Sequence, residues 1–400
     1  MTDLILRNAR LIDGAGNIWD QVEIHVEDGR IGAVSAGGLQ GLHGVHGVQS
    51  ESIDLMGKTV IPGLMNCHTH ICGVWQAQPG ATPEQLAVEY TLRGARWLEE
   101  ALNKGVTAIR DLGGKDHIDL GLKRAVEKGL LAGPWVRASG RAICMTGGHG
   151  HANGIEADGP HGARRAARLQ LKAGADVIKL IATGGILTPG TQPGSPQLTQ
   201  EEMAAAVEEA HKAGWTAAAH AEGREGIRNA VLAGVDSIEH GYGLDDEIIE
   251  LMLRRGTFLC PTLTCDLRIA EHGAELGIAA DAVDKMRRWI DHLLDSFQRA
   301  HQAGVRIAAG NDGFADWVSV GDMASEIAAM VEYGMDAHSA LLAATANAAQ
   351  LLQLPDEGMV APSKRANLVV LEGDPLTDIS AVGRVAAVMK DGVWVLRKGV

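Results

Sequence analysis

Cysteine is scarce in this chain, and nothing in its spacing pairs it. The five residues, Cys67, Cys72, Cys144, Cys260 and Cys265, are odd in number and include no Cys-X-X-Cys. Neither a disulfide framework nor a zinc ribbon is suggested, and a reducing compartment fits best. Long apolar runs are missing as well, with none approaching the ~18 residues of a membrane span. The opening Met1-Thr2-Asp3-Leu4-Ile5-Leu6-Arg7-Asn8 lacks the basic region and longer apolar stretch of a secretory signal. A cytoplasmic protein with no membrane partner is therefore expected. Positive charge is also in deficit: 36 Lys and Arg face 50 Asp and Glu, for a formal net charge of −14. No basic cluster offsets this, so a nucleic-acid partner is not expected.

What is present suits a large α/β enzyme. The 400 residues exceed the ~250 to 300 at which one core stops growing, and 46% apolar content with 51 glycines fits a globular chain with many turns. Residues 3–58 alternate apolar and polar in short stretches such as Val22-Glu23-Ile24-His25-Val26, broken at Asp13-Gly14 and Asp28-Gly29. Residues 367–396 repeat the pattern around Asp391-Gly392. The two β segments are expected to pair into one small sandwich domain (1–59 and 358–400). The glycine-rich stretch 37–47 reads as a loop in which His43 and His46 are solvated.

Between these segments, strand-like runs at 60–66, 107–111, 136–142, 177–181, 216–219, 237–239, 257–260 and 306–309 alternate with helix-like runs such as 83–105, 201–213 and 284–303. Eight βα units point to a (β/α)8 TIM barrel over 60–357. Such barrels place function at the C-terminal ends of their strands. The first run ends in His68-Thr69-His70, and imidazoles at i and i+2 of an extended segment share one side. Among 16 histidines that pattern alone fits a metal clamp or a solvated loop. The later strand ends add His220, His240 and Asp312, and the fourth run carries Lys179 inside an apolar stretch. A lysine in a buried strand must be paired or chemically altered. Imidazole and carboxylate donors suit a catalytic divalent metal more than a closed structural one.

In these motifs the chain resembles the amidohydrolase superfamily. Ile178-Lys179-Leu180-Ile181-Ala182-Thr183-Gly184-Gly185, Thr146-Gly147-Gly148-His149-Gly150-His151 and Ser237-Ile238-Glu239-His240-Gly241 are most similar to the imidazolonepropionase-like branch. That branch includes zinc-dependent Xaa-Pro or Xaa-Arg dipeptidases and ochratoxin amidases. The resemblance implies two Zn2+ per chain, or another divalent metal. His68 and His70 would bind the more buried ion, His220 and His240 the second, and Lys179, carboxylated by CO2, would bridge them. Asp312 would bind the first ion and shuttle a proton while a metal-bridging hydroxide attacks an amide carbonyl of a dipeptide or N-acyl amino acid. The expected partner is a small-molecule amide substrate, and a homo-oligomer is expected. A mononuclear deaminase, a cyclic-amide hydrolase or a lactonase on the same site is the alternative. A catalytically dead scaffold is disfavoured because all six ligand positions are filled.

Substrate contacts are read less directly. His149 and His151 follow the third strand in a glycine loop. Prolyl dipeptidases carry Ala-Tyr after the strand-five histidine, whereas this chain has Ala221-Glu222. Glu222 is left to receive a cationic substrate group or to cap the next helix. Arg110 and Asp111 are expected to form a structural ion pair, Arg224 and Arg228 to be exposed, and the loop 183–196 to wall or cover the pocket.

Overall fold

The computed structural model describes residues 3–36, 51–73 and 81–400. The stretch carrying His43 and His46 thus lies outside the described residues. The chain begins with β1 (Asp3–Ile12), β2 (Ile18–Glu27), β3 (Arg30–Ala36), β4 (Glu51–Asp54) and β5 (Thr59–Pro62). In β2 the buried Val22, Ile24 and Val26 alternate with more exposed neighbours, the period-two signature of a strand with one face on a core. β2 lies antiparallel between β1 and β3, while β4 and β5 run parallel to β1.

Parallel strands follow: β6 (Leu64–Thr69), β7 (Val106–Asp111), β8 (Trp135–Ala138), the short β9 (Ile143–Cys144) and β10 (Ile155–Glu156), β11 (Val177–Ile181), β12 (Thr216–Ala221), β13 (Ser237–His240) and β14 (Phe258–Cys260). They hydrogen-bond in the orders β6-β7-β8 and β10-β9-β11-β12-β13-β14. Backbone bonds cross both gaps. Asp176 N donates to Ala138 O at 2.9 Å on one side; on the other, Leu259 N donates to Arg306 O at 2.9 Å and Cys67 N to Ala309 O at 2.8 Å. Helices Pro83–Asn103, Gln200–Lys212 and Ala280–Ala303 match the expected helical runs, and capping boxes at Thr82 with Gln85 and Thr199 with Glu202 start the first two.

Two strand expectations need correction. The apolar run at 60–66 serves two sheets: β5 belongs to the terminal sheet, and β6 begins only after Gly63. A Cβ on Gly63 would fall 2.1 Å from Thr107 Oγ1, so the crossing passes against β7 where only glycine fits. The run at 306–309 forms no strand, contributing the single bridge Leu259–Ile307 and the bonds given above.

The chain closes with β15 (Leu368–Leu371), β16 (Val385–Lys390) and β17 (Val393–Arg397). β15 pairs antiparallel with β5, so both ends of the chain build one continuous sheet in the order β17-β16-β15-β5-β1-β2-β3, with β4 on β1. Its apolar side chains, among them Leu6, Leu11, Ile24, Leu368 and Met389, form a cluster of their own. The main core lies between the parallel strands and the helices, with Ile109, Ile178, Leu180, Ile238 and Leu259 at its centre. No described helix is long and apolar enough to cross a membrane.

Candidate metal and substrate site

The strand ends converge. His68 closes β6, Lys179 sits inside β11, His220 lies in β12 and His240 ends β13. The His68 ring is 5.4 Å from His70 and 5.1 Å from His240, and His240 is 4.8 Å from His220. Asp312 Oδ1 stands 3.5 Å from His68 Nε2 and 3.3 Å from His70 Nε2. Two of these residues need unusual backbone: His240 has φ +68° and Asp312 φ +50°. Left-handed φ at non-glycine residues costs about 1–3 kcal/mol and collects at functional sites. At His240 it lets consecutive residues serve one interior, since Glu239 meets His68 while His240 joins the imidazole cluster.

Three imidazoles have one nitrogen hydrogen-bonded to a protein oxygen, and the fourth, His68, has one in close contact with a carboxylate outside hydrogen-bond geometry. His68 Nδ1 is 2.9 Å from Glu239 Oε2, His70 Nδ1 is 3.1 Å from Gly113 O, His220 Nε2 is 3.1 Å from Gly184 O, and His240 Nδ1 is 2.8 Å from Thr262 Oγ1. A ring N–H that donates outward leaves the other nitrogen as a lone-pair ligand, which is how metal-binding histidines are held. Burial keeps His68, His220 and His240 well below the usual histidine pKa, hence neutral. His70 is raised: burial opposes its charge, but Asp312 outweighs it.

Lys179 is 3% exposed, and its Nζ has no hydrogen-bond partner among the described residues. Burial brings its pKa down to about 8. Burial would raise Asp312, but His68, His70 and Lys179 hold it down to about 2. Glu222 is buried, with Oε2 unpartnered among the described residues. The helix Arg224–Ala233 starts from Gly223 with no side-chain cap, so Glu222 is not a cap. Burial and the neighbouring Asp266 and Asp312 push its pKa well up.

The expected Arg110–Asp111 pair does not form. Arg110 reaches across the interior instead, with Nη2 2.9 Å from Glu239 Oε1, Nη1 donating to Ser237 Oγ and Nε donating to Cys67 O. Asp111 accepts from Ile71 N and Gly113 N. Two charges placed in an apolar interior are costly unless mutually satisfied, which explains the partner exchange. Arg224 is exposed, as expected, and Arg228 is half-buried; they pair with Asp245 and Glu247.

The cluster opens into a cavity of about 750 Å3. His149 and His151 both line it, but differently. The His149 ring is 4.4 Å from His220, against Gly185, whereas His151 is exposed and its Nδ1 lies 2.9 Å from Gly148 O. Ile186, Leu187, Thr188 and Pro189 place the 183–196 loop on the wall. Asp266, which the sequence reading missed, lines the cavity from the helix Leu263–His272.

These residues fit a divalent cation. Donor atoms of His68, His240 and Asp312, and of His220, Glu222 and His240, lie within 4.8 Å of one another in each group. Buried nitrogens on Lys179 and His149 lack hydrogen-bond partners among the described residues, and the donors are imidazole and carboxylate.

A mixed α/β fold with imidazoles and carboxylates at the ends of parallel strands defines a class of metal-site hydrolases. The amidohydrolase family profile matches residues 59–395, and the chain belongs to that family. It is a hydrolase of C–N bonds, and its family generally binds divalent metals. Ochratoxinase from Aspergillus niger is 33% identical over 367 residues, covering 84% of this chain and 74% of that one. A solved Xaa-Pro dipeptidase with methionine bound in its active site has TM-score 0.88 at 32% identity, covering 98% of this chain and 99% of the other. A prolidase complexed with N-methylphosphonate-L-proline has TM-score 0.88 at 30% identity, covering 99% and 100%.

Proposed function

We propose that the protein is a binuclear metal-dependent amidohydrolase that cleaves the amide bond of a dipeptide or an N-acyl amino acid. The observation that carries this reading is Lys179: a buried lysine without a partner among the described residues, set among four imidazoles and Asp312. Carboxylation by CO2 turns that amine into an anionic carbamate and releases a proton, removing a cation the interior does not pair. The architecture in this reading is a TIM barrel over 60–357, the parallel strands closing through residues 306–309, with the terminal sheet as a small sandwich (1–59 and 358–400).

His68, His70 and Asp312 would hold one ion, His220 and His240 the other, with carboxylated Lys179 shared. Two such ions, zinc by donor type, supply an activated water and a polarised carbonyl oxygen. The chain's own residues do the rest. Gly113 O, Gly184 O, Glu239 and Thr262 fix the four rings. Asp312 Oδ1 accepts the proton of the attacking water and delivers it to the departing amine nitrogen, so that water adds across the C–N bond. His149 reaches substrate from the Gly185 side, with His151 at the rim and Glu222 beside His220.

The names of the ochratoxinase and Xaa-Pro dipeptidase relatives support amide cleavage. The test is hydrolysis by the zinc-loaded protein of a panel of dipeptides and N-acyl amino acids, with lactones and aminated heterocycles as controls. Release of amino acids is expected; turnover of controls alone would overturn the reading.

A further inference from the structure

One wall of the cavity carries two acidic residues outside the six proposed metal ligands. Glu222 is 2% exposed, lines the cavity, and has an Oε2 without a hydrogen-bond partner among the described residues. Asp266 is 4% exposed and lines the same cavity; Thr262 Oγ1 donates to it over a long 3.4 Å, and the Tyr242 hydroxyl also faces it. The Tyr242 hydroxyl is buried beside both carboxyls. No Lys or Arg nitrogen among the described residues lies within 4.0 Å of either carboxylate. Lys285, whose charge reaches Glu222, is turned away: its Nζ donates to Thr188 O at 3.1 Å and Thr191 O at 3.4 Å and stands 3.8 Å from Asp281. Ile186, Leu187, Ile269, Ile278 and Phe314 give the cavity an apolar portion of wall.

We infer that Glu222 and Asp266 receive the free α-ammonium group of the acyl half of the substrate, so that the enzyme acts on amides of unblocked amino acids. The inference rests on the amide reading above and narrows it from dipeptide or N-acyl amino acid to dipeptide. Position is the first argument. A carboxyl oxygen of Glu222 lies within 4.8 Å of ring nitrogens of both His220 and His240, so the carboxyl stands beside the cluster where the scissile carbonyl must sit. In an aminoacyl amide the ammonium nitrogen is only about 2.5 Å from the carbonyl carbon. A lysine or arginine head group lies several bonds further out, beyond a carboxyl this close to the reacting centre.

Charge is the second argument. The leaving residue's carboxylate would meet Glu222, Asp266 and Asp312 together, so it belongs elsewhere in the cavity. An N-acylated or amine-free acid would place an uncharged group against carboxyls that have no Lys or Arg nitrogen within 4.0 Å among the described residues. A site built to hydrogen-bond one group discriminates strongly against the analogue lacking it.

The test compares three substrates on the full-length, zinc-loaded enzyme: a dipeptide with an apolar first residue, its N-acetyl form, and the deamino analogue lacking only the amine. The expected kcat/KM for the dipeptide exceeds that for the other two by at least about 10²-fold. Glu222→Gln and Asp266→Asn should each cut that ratio at least about tenfold, with metal content by elemental analysis at the wild-type level. A deamino analogue cleaved as fast as the dipeptide overturns the subsite and leaves amide cleavage standing. Metal loss from Glu222→Gln also overturns it, because Glu222 would then belong with His220 and His240 as a ligand. Failure of all three substrates, with turnover of a control lactone, overturns the amide reading and this inference together.

Discussion

His68 and Glu239 meet at 2.9 Å, Nδ1 to Oε2, with side chains 1% and 0% exposed. Arg110 completes the arrangement from the other side of Glu239, at 2.9 Å and also 1% exposed. The carboxylate therefore answers one buried cation and orients one imidazole. Removing either charged partner leaves the other buried and uncompensated, at a cost of about 3–5 kcal/mol. Arg110→Met and Glu239→Gln should each lower stability by that order, and the double variant by much less than their sum. Denaturant midpoints of the metal-free proteins measure this; strictly additive losses would contradict the pairing.

Asp312 is the proton carrier of the proposed reaction. Asp312→Asn keeps the side chain's size and an oxygen donor but cannot accept a proton, so turnover should fall by about 10²–10⁴-fold with metal still partly bound. Steady-state rates beside metal analysis check this, and a near-normal rate sinks the role.

Glu357 gives a pH effect remote from the proposed ligands. Both its oxygens accept from Asn367 Nδ2 at 2.8 Å, and burial raises its pKa from 4.5 to about 7. Between those values the folded chain holds a proton that the unfolded chain has released. Glu357 therefore makes stability fall as pH rises from about 4.5 to 7. Glu357→Gln should flatten that slope in thermal unfolding followed against pH. An unchanged slope would show that Glu357 does not titrate in this window.

Much of the site was legible because strands repeat with period two and this architecture collects function at strand ends. His68, His70, His220 and His240 come from strand ends, Lys179 from inside β11, and Asp312 from beyond a run that forms no strand. Lys179 stands out as a charge inside an apolar run, and the same pattern marks Arg110 in Thr107-Ala108-Ile109-Arg110 and Glu239 in Ser237-Ile238-Glu239. That pattern pairs them with each other rather than Arg110 with Asp111. Asp266 had no such signal, being one acid on a helix beyond a strand end. The split at Gly63 was hidden because Val60 to Met65 is apolar throughout; both sheets bury that run, and composition cannot tell which sheet a buried strand joins.

Lys179→Ala should lose most of its bound metal and activity, since the variant lacks the only bridging group in the proposed set. A short carboxylic acid, small enough for the vacated space, should restore part of both. Retention of two ions by the variant would contradict the bridging role.

Metal stoichiometry tests the binuclear site most directly. Elemental analysis of the wild-type protein, reconstituted with zinc in the presence of bicarbonate and freed of loosely bound ions, should give two ions per chain. One tightly held ion per chain, unchanged by bicarbonate, would contradict the binuclear site.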